Sequence, residues 1–222
     1  MDPSLTVITF DVPGVGASPA PLLPYTLAAM ARTVAAMLDA LGYAEVSVLG
    51  LSWGGFLAQQ IAKDHPTLCT KLILAATSAG VISVYPSPKV LSLMVGTRRY
   101  EDAAYGASIA PHIYGGLFRN DPELCAHHFQ GMKAPPSGRG YHYQGTALWG
   151  WTSLHWLHKI RQSTLVLAGN DDPLIPLINM RALAWLIPDS DLRVIDDGHL
   201  FMATQPQMTA DMVSTFLLGD AQ

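Results

Sequence analysis

Apolar and polar positions fall into short blocks of two kinds along this chain. Residues 5–11, Leu-Thr-Val-Ile-Thr-Phe-Asp, form an apolar, β-branched run closed by Pro13-Gly14-Val15-Gly16. That pattern predicts a buried strand opening into a loop, with Asp11 at the loop's mouth. From Leu27 to Leu41 the apolar positions recur at helical spacing and Gly42 follows as a stop, which predicts an amphipathic helix. Val46 to Leu51 reads as a second strand, followed at once by Ser52-Trp53-Gly54-Gly55 and a helical stretch to Lys63 that His65-Pro66 closes. Further strands are predicted at Leu72 to Ala76, Thr164 to Ala168 and Leu192 to Ile195, with helices at Asn179 to Leu186 and Met208 to Leu218.

Strands alternating with helices predict an α/β fold, with a mostly parallel sheet and flanking helices. The alternation breaks over residues 81–160, which show no clear strand, hold prolines at 86, 88, 111, 122, 135 and 136, and carry 11 of the 19 aromatic residues. We therefore expect residues 1–80 and 161–222 to form the α/β core and residues 81–160 to form an inserted, largely helical lid. In that lid Tyr114, Phe118, Tyr141, Tyr143, Trp149 and Trp151 either line an apolar substrate channel or pack as the lid's own core.

Composition narrows the partners. Apolar residues make up 50% of the 222 and charged residues only 14%, which excludes a disordered chain. The net charge of −4, with no Lys/Arg run, argues against nucleic acid and against a polybasic membrane anchor. Mean hydropathy is +0.24, yet no uninterrupted apolar stretch approaches the roughly 18–20 residues that a spanning helix needs. The N-terminus shows no signal-peptide pattern, and Cys69 and Cys125 stand 56 residues apart without metal or CxxC spacing, so a cytoplasmic protein is expected. No cofactor and no metal is implied; His155 and His158 stand three apart but lack a third ligand at a telling distance.

The chemistry-bearing motif is Gly50-Leu51-Ser52-Trp53-Gly54, which fits G-x-S-x-G and lies between an apolar strand and a helix, the context the motif requires. Such a turn exposes the serine oxygen, aims a helix N-terminus at it and offers the Trp53 amide to an oxyanion. Serine is a weak nucleophile and needs a base, which in turn needs an orienting carboxylate. Gly169-Asn170-Asp171-Asp172-Pro173 follows one predicted strand and Asp196-Asp197-Gly198-His199 follows the next, so a carboxylate and a histidine sit at the strand ends where open α/β sheets bind ligands. Either Asp171 or Asp172 can be the acid on this reading.

Together with Phe10-Asp11-Val12-Pro13-Gly14-Val15-Gly16, Gly150-Trp151-Thr152-Ser153 and the stretch from His155 to Ile160, these segments resemble the α/β-hydrolases nearly end to end. They also closely resemble the intracellular poly(3-hydroxyalkanoate) depolymerases of medium-chain-length polyesters. That resemblance implies a serine ester hydrolase cleaving 3-hydroxyacyl esters through an acyl-enzyme, with Ser52, Asp172 and His199 as the triad and Trp53 in the oxyanion hole; Asp172 is selected over Asp171 because it directly precedes proline. A polyester substrate, and with it a storage-granule surface, is the expected partner. Tyr114, Phe118, Trp149 and Trp151 are the expected substrate-contacting lid residues. A hydrolase of smaller esters or lactones is the enzymatic alternative, and an inactive shortened binding protein is the non-enzymatic one. The resemblance also implies that the first strands of the fold are missing, roughly 50 residues including a strand that would lie between residues 5–11 and 46–51, so that the second oxyanion donor is absent.

Overall fold

The computed structural model describes residues 2–130 and 138–219. The chain begins its regular structure with helix α1 (Leu27–Ala40), whose Thr26 hydroxyl caps the Ala29 amide, and which buries Leu27, Met30, Ala31, Val34 and Leu38 at helical spacing. Strand β1 (Val46–Leu51), helix α2 (Trp53–Asp64) and strand β2 (Cys69–Ala75) follow. The chain then runs through α3 (Pro88–Met94), α4 (Arg98–Glu101), α5 (Ala103–Ile113), a 3₁₀ turn at Gly116–Arg119, α6 (Pro122–Gln130) and α7 (Gly138–Ala147). It returns to the sheet with β3 (Ser163–Gly169), α8 (Leu177–Leu186) and β4 (Ser190–Ile195), and closes with α9 (Phe201–Thr204) and α10 (Pro206–Leu218).

The four strands lie in sequence order, β1-β2-β3-β4, all parallel. The alternation of side chains along a strand divides the core into two layers. Leu72, Leu74, Val166 and Ala168 face one way, into a cluster with α1, α2 and α8. Ile73, Ala75, Leu165, Leu167 and Ile195 face the other way, against Phe201 and Val213 of α9 and α10. Because β2 and β3 are covered on both sides, they read as continuous apolar runs.

Between β2 and β3 the described residues are helical except for a single bridge, Gly80 to Thr152, and they build a separate apolar cluster of Val90, Ile109, Ile113, Tyr114, Phe118, Cys125 and Phe129. That segment is bound to α2 through polar groups. The fully buried Gln59 donates to the Gly55 and Ser78 carbonyls and accepts from Ser153 Oγ at 2.6 Å, while Gln60 accepts from Trp151 Nε1 at 2.6 Å. Buried amides need such partners, and these two explain why every residue of α2 from Gly55 to Ala62 is buried.

One expected element is absent: residues 5–11 are extended but form no strand. Ile8 and Val12 pack on the core while Val7 and Phe10 are exposed. The expected buried strand is therefore not formed: Ile8 and Val12 are only partly buried, and a strand is defined by a ladder, which this segment lacks. A cleft of about 800 Å³ lies between residues 5–10 and the open edge of β1, walled by Val34 and Leu38 of α1 and by Thr209 and Val213 of α10. In hydrogen-exchange mass spectrometry, amides of residues 5–10 are expected to exchange at rates near those of an unstructured peptide, while β2 and β3 stay protected. Equal protection would mean that residues 5–10 pair with a strand.

Candidate active site

The loops at the C-terminal ends of β1, β3 and β4 bring the site together. Ser52 sits between β1 and α2 with φ +52° and ψ −116°, a left-handed conformation that a serine adopts only under constraint from its surroundings. That constraint is the close passage of strand and helix. A Cβ on Gly50 would lie 2.3 Å from the Gly54 carbonyl oxygen, and one on Gly55 would strike the Thr77 side chain at 2.5 Å. Gly54, the last glycine of the motif, has open space around its Cβ position. The crowded pair is therefore Gly50 and Gly55 in this chain. Trp53 opens α2, so its amide belongs to the first turn, whose N–H groups have no partner within the helix.

His199 Nε2 lies 3.0 Å from Ser52 Oγ, and His199 Nδ1 lies 2.7 Å from Asp172 Oδ2. Both Asp172 and His199 are buried. The other oxygen of Asp172 accepts the Leu174 and Ile175 amides at 2.8 Å each, so the carboxylate is fixed in the plane it presents to the imidazole. Adjacent Asp171 turns away. It takes both Arg119 Nε and Nη2 and the Gly116 amide, and the Arg119 hydrogen bond holds its carboxyl below the usual value of 3.8. The geometry thus separates the two neighbouring aspartates, which the sequence pattern alone leaves open.

Asp197 plays a structural part in the histidine loop. It is buried, and burial alone would raise its pKa, but hydrogen bonds from Thr204 and Gln205 and from the Leu117 and Gly198 amides hold it low. One carboxylate thereby joins the histidine loop, α9 and the 3₁₀ turn of the helical segment. The histidine backbone is held from the same direction, since the His199 amide donates to the Tyr114 carbonyl at 2.7 Å. No motif marks Asp197, because its partners are backbone amides and side chains brought together only by folding. Asp11 receives the Ala17 amide at 2.9 Å and braces its own loop. The Cys69 thiol is pushed up to about 12 by burial and is no nucleophile.

The four aromatic residues expected at the substrate occupy different settings. Tyr114 is buried with its ring parallel to His199 at a centroid distance of 6.3 Å, and Phe118 is buried beside it. Trp151 is half-buried and held by Gln60 and by edge contacts with Phe56 and Trp156. Trp149 is 88% exposed. The elbow itself reaches the helical segment through Trp53 Nε1, which donates to the Gln144 carbonyl of α7 at 3.0 Å.

A parallel sheet carrying a nucleophile elbow, with a histidine and an acid on later strand ends, defines a class. The chain belongs to the alpha/beta hydrolase fold family, whose pattern matches residues 2–206, and it is a carboxylic ester hydrolase. Among individual relatives, it is 54% identical to a poly(3-hydroxyalkanoate) depolymerase of Ectopseudomonas oleovorans, over 100% of this chain and 78% of that protein. Solved structures agree. A hydrolase from Pseudomonas aeruginosa PA01 superposes with a TM-score of 0.75 at 28% identity, covering 94% of this chain and 78% of that one. A thermophilic esterase from Thermogutta terrifontis gives 0.74 at 30% identity, covering 93% and 77%.

Asp171 and Asp197 have folded pKa values below their ordinary 3.8, so their contribution to stability is complete above that value and is lost as the pH falls through the folded values. Thermal melting followed from pH 6 to pH 2 should fall steeply below about pH 4. In Asp171→Asn the fall should be shallower, and in Asp197→Ala melting should also be lower at every pH because buried donors are orphaned. A melting curve with the same acid dependence in all three proteins would show that these carboxylates are not the groups responsible.

Proposed function

We propose that this chain hydrolyses the 3-hydroxyacyl ester bonds of medium-chain-length polyhydroxyalkanoate through an acyl-enzyme, with residues 81–160 as a lid over the site. The observation that carries the reading is the hydrogen-bonded series Ser52, His199, Asp172, at 3.0 and 2.7 Å, in a chain 54% identical to a poly(3-hydroxyalkanoate) depolymerase.

In this mechanism Ser52 Oγ attacks the ester carbonyl while its proton passes to His199 Nε2. Asp172 keeps Nδ1–H pointed at itself and stabilises the imidazolium that forms. The tetrahedral oxyanion takes the Trp53 amide at the positive end of α2. When the ester C–O bond breaks, the imidazolium returns its proton to the departing hydroxyl oxygen, leaving the acyl group on Ser52. Water then attacks that acyl carbon, gives its proton to His199, and the released Ser52 Oγ takes it back as the carboxylic acid departs. Nothing is oxidised or reduced, and water supplies the only atoms added.

Support for a medium-chain substrate comes from the apolar surroundings of the site. Tyr114, stacked on His199, and Phe118 beside it make the surroundings of the site apolar, and each methylene that a substrate buries is worth about 0.8 kcal/mol, or roughly fourfold in rate constant. Trp149 stands exposed on the same segment, where an insoluble polyester at a cytoplasmic granule surface would meet it.

Rates on 3-hydroxyoctanoate oligomers and on p-nitrophenyl esters of increasing length should rise with chain length, and a maximum at acetyl or butyryl would favour a small-ester hydrolase. Fluorophosphonate labelling should vanish in Ser52→Ala. Turnover should fall by roughly 10⁴-fold in Asp172→Asn, and by less than about tenfold in Asp171→Asn, since only Asp172 fixes the imidazole tautomer. Equal losses for the two aspartates would overturn the assignment.

A further inference from the structure

Above the site, α4 holds a cation without a counter-ion. Arg99 is 3% exposed. Its Nη1 donates to the Met94 and Gly96 carbonyls at 2.8 and 3.2 Å, and its Nη2 to the Tyr100 and Tyr141 hydroxyls at 2.8 and 3.1 Å. The guanidinium also lies 4.3 Å over the Tyr100 ring and 5.2 Å over the Tyr141 ring. Its Nε–H is buried and has no hydrogen-bond partner. Among the described residues no carboxylate pairs with it, and the nearest acids in sequence are engaged elsewhere: Glu101 accepts from Thr97 Oγ1, and Asp102 pairs with Arg98 and caps the Tyr105 amide.

A buried charge without an opposite charge is costly, and an orphaned buried N–H adds to that cost. Four neutral partners orient the guanidinium but leave its charge uncompensated. The free Nε–H and the adjacent Nη2 form the edge that binds a carboxylate side-on; the Tyr100 hydroxyl, which accepts from Nη2, can turn its proton toward an anion, while Tyr141 Oη donates to the Met94 carbonyl at 2.6 Å and orients the guanidinium. Tyr114 connects this group to the catalytic side: its ring lies parallel to His199, and Arg99 and Tyr100 act electrostatically on its hydroxyl. Burial raises the pKa of that hydroxyl, so it stays a proton donor at neutral pH.

We propose that Arg99, with Tyr100, Tyr114 and Tyr141, is a carboxylate-binding subsite that takes the free acid end of a 3-hydroxyalkanoate chain. The proposal rests on the polyester reading above. A poly(3-hydroxyacyl) ester carries one carboxylate per molecule, at the end opposite its free hydroxyl, and none within the chain. Cleavage leaves the hydroxyl-terminated part on Ser52 and releases the part that ends in the carboxylate. Arg99 therefore recognises the leaving-group side, and selects chain ends and short acids over interior esters.

The test compares a 3-hydroxyoctanoate dimer as free acid with its methyl ester, at pH 8, in wild type, Arg99→Lys and Arg99→Met. The expected wild-type kcat/KM favours the acid by at least tenfold. That ratio should shrink in Arg99→Lys and approach one in Arg99→Met, a change that a merely structural arginine would not produce, since loss of packing lowers both rates together. Should Arg99→Met fail to fold, binding of 3-hydroxyoctanoate and its methyl ester to Ser52→Ala decides the matter, with at least tenfold tighter binding of the acid expected. Equal kcat/KM for the two dimers, or equal affinity of acid and ester for Ser52→Ala, overturns the proposal. If neither dimer is hydrolysed while p-nitrophenyl butyrate is, the polyester reading has failed instead, and the Ser52→Ala comparison still decides the carboxylate subsite.

Discussion

The strand-to-helix turn at Ser52 constrains everything around it. Its left-handed backbone persists because β1 and α2 meet so closely that side chains at Gly50 and Gly55 would collide with backbone and with Thr77. That approach fixes the axis of α2 against the sheet, and α2 is then buried on all sides, carrying Gln59 and Gln60 as the polar anchors of the segment between β2 and β3. The same turn exposes Ser52 Oγ to the loops of β3 and β4. A single strained residue thus sets both the position of Ser52 Oγ and the seating of α2 beneath the helical segment.

Strands β2 and β3 were legible in the sequence because burial on both faces leaves a continuous apolar run, while β1 and β4, less completely covered, were legible from shorter apolar stretches. That Ser52, Asp172 and His199 come together in a hydrogen-bonded series was legible through their places at strand ends and through family resemblance. Two things were not legible, for one shared reason. Residues 5–11 have the composition of a strand, but a ladder needs a neighbour, and the space beside β1 is a cleft. Asp171 with Arg119, and Asp197 with the Leu117 amide, have no local signature, since these partners lie 52 and 80 residues away; Arg99 also draws Tyr141 from 42 residues on, while its other partners are neighbours that no motif marks. Local pattern reports which face is apolar; it does not report what lies opposite a polar group.

The histidine loop is held from above as well as from below. The Tyr114 carbonyl takes the His199 amide, the Leu117 amide goes to Asp197, and Gly116 and Arg119 go to Asp171. The packing is tight enough that a Cβ on Gly198 would lie 1.9 Å from the Tyr114 oxygen. The turn at residues 114–119 therefore belongs to the framework that holds the His199 loop, although in sequence it is part of the helical segment.

This division bears on how a bulky ester reaches Ser52. Opening that lifted residues 114–119 would break the hydrogen bonds that hold His199 and strip Asp197 and Asp171 of their amide donors, at roughly 1–3 kcal/mol for each buried group left unpaired. The segment's other ties to the core include Trp53 Nε1 to the Gln144 carbonyl, Tyr143 Oη to the Leu22 carbonyl and the two hydrogen bonds between Val84 and Asn179, none of which holds the histidine loop. On the proposed reading, an opening that leaves the 114–119 turn in place would keep the His199 imidazole aligned with Ser52 and Asp172 while an ester enters, so that access and alignment do not compete.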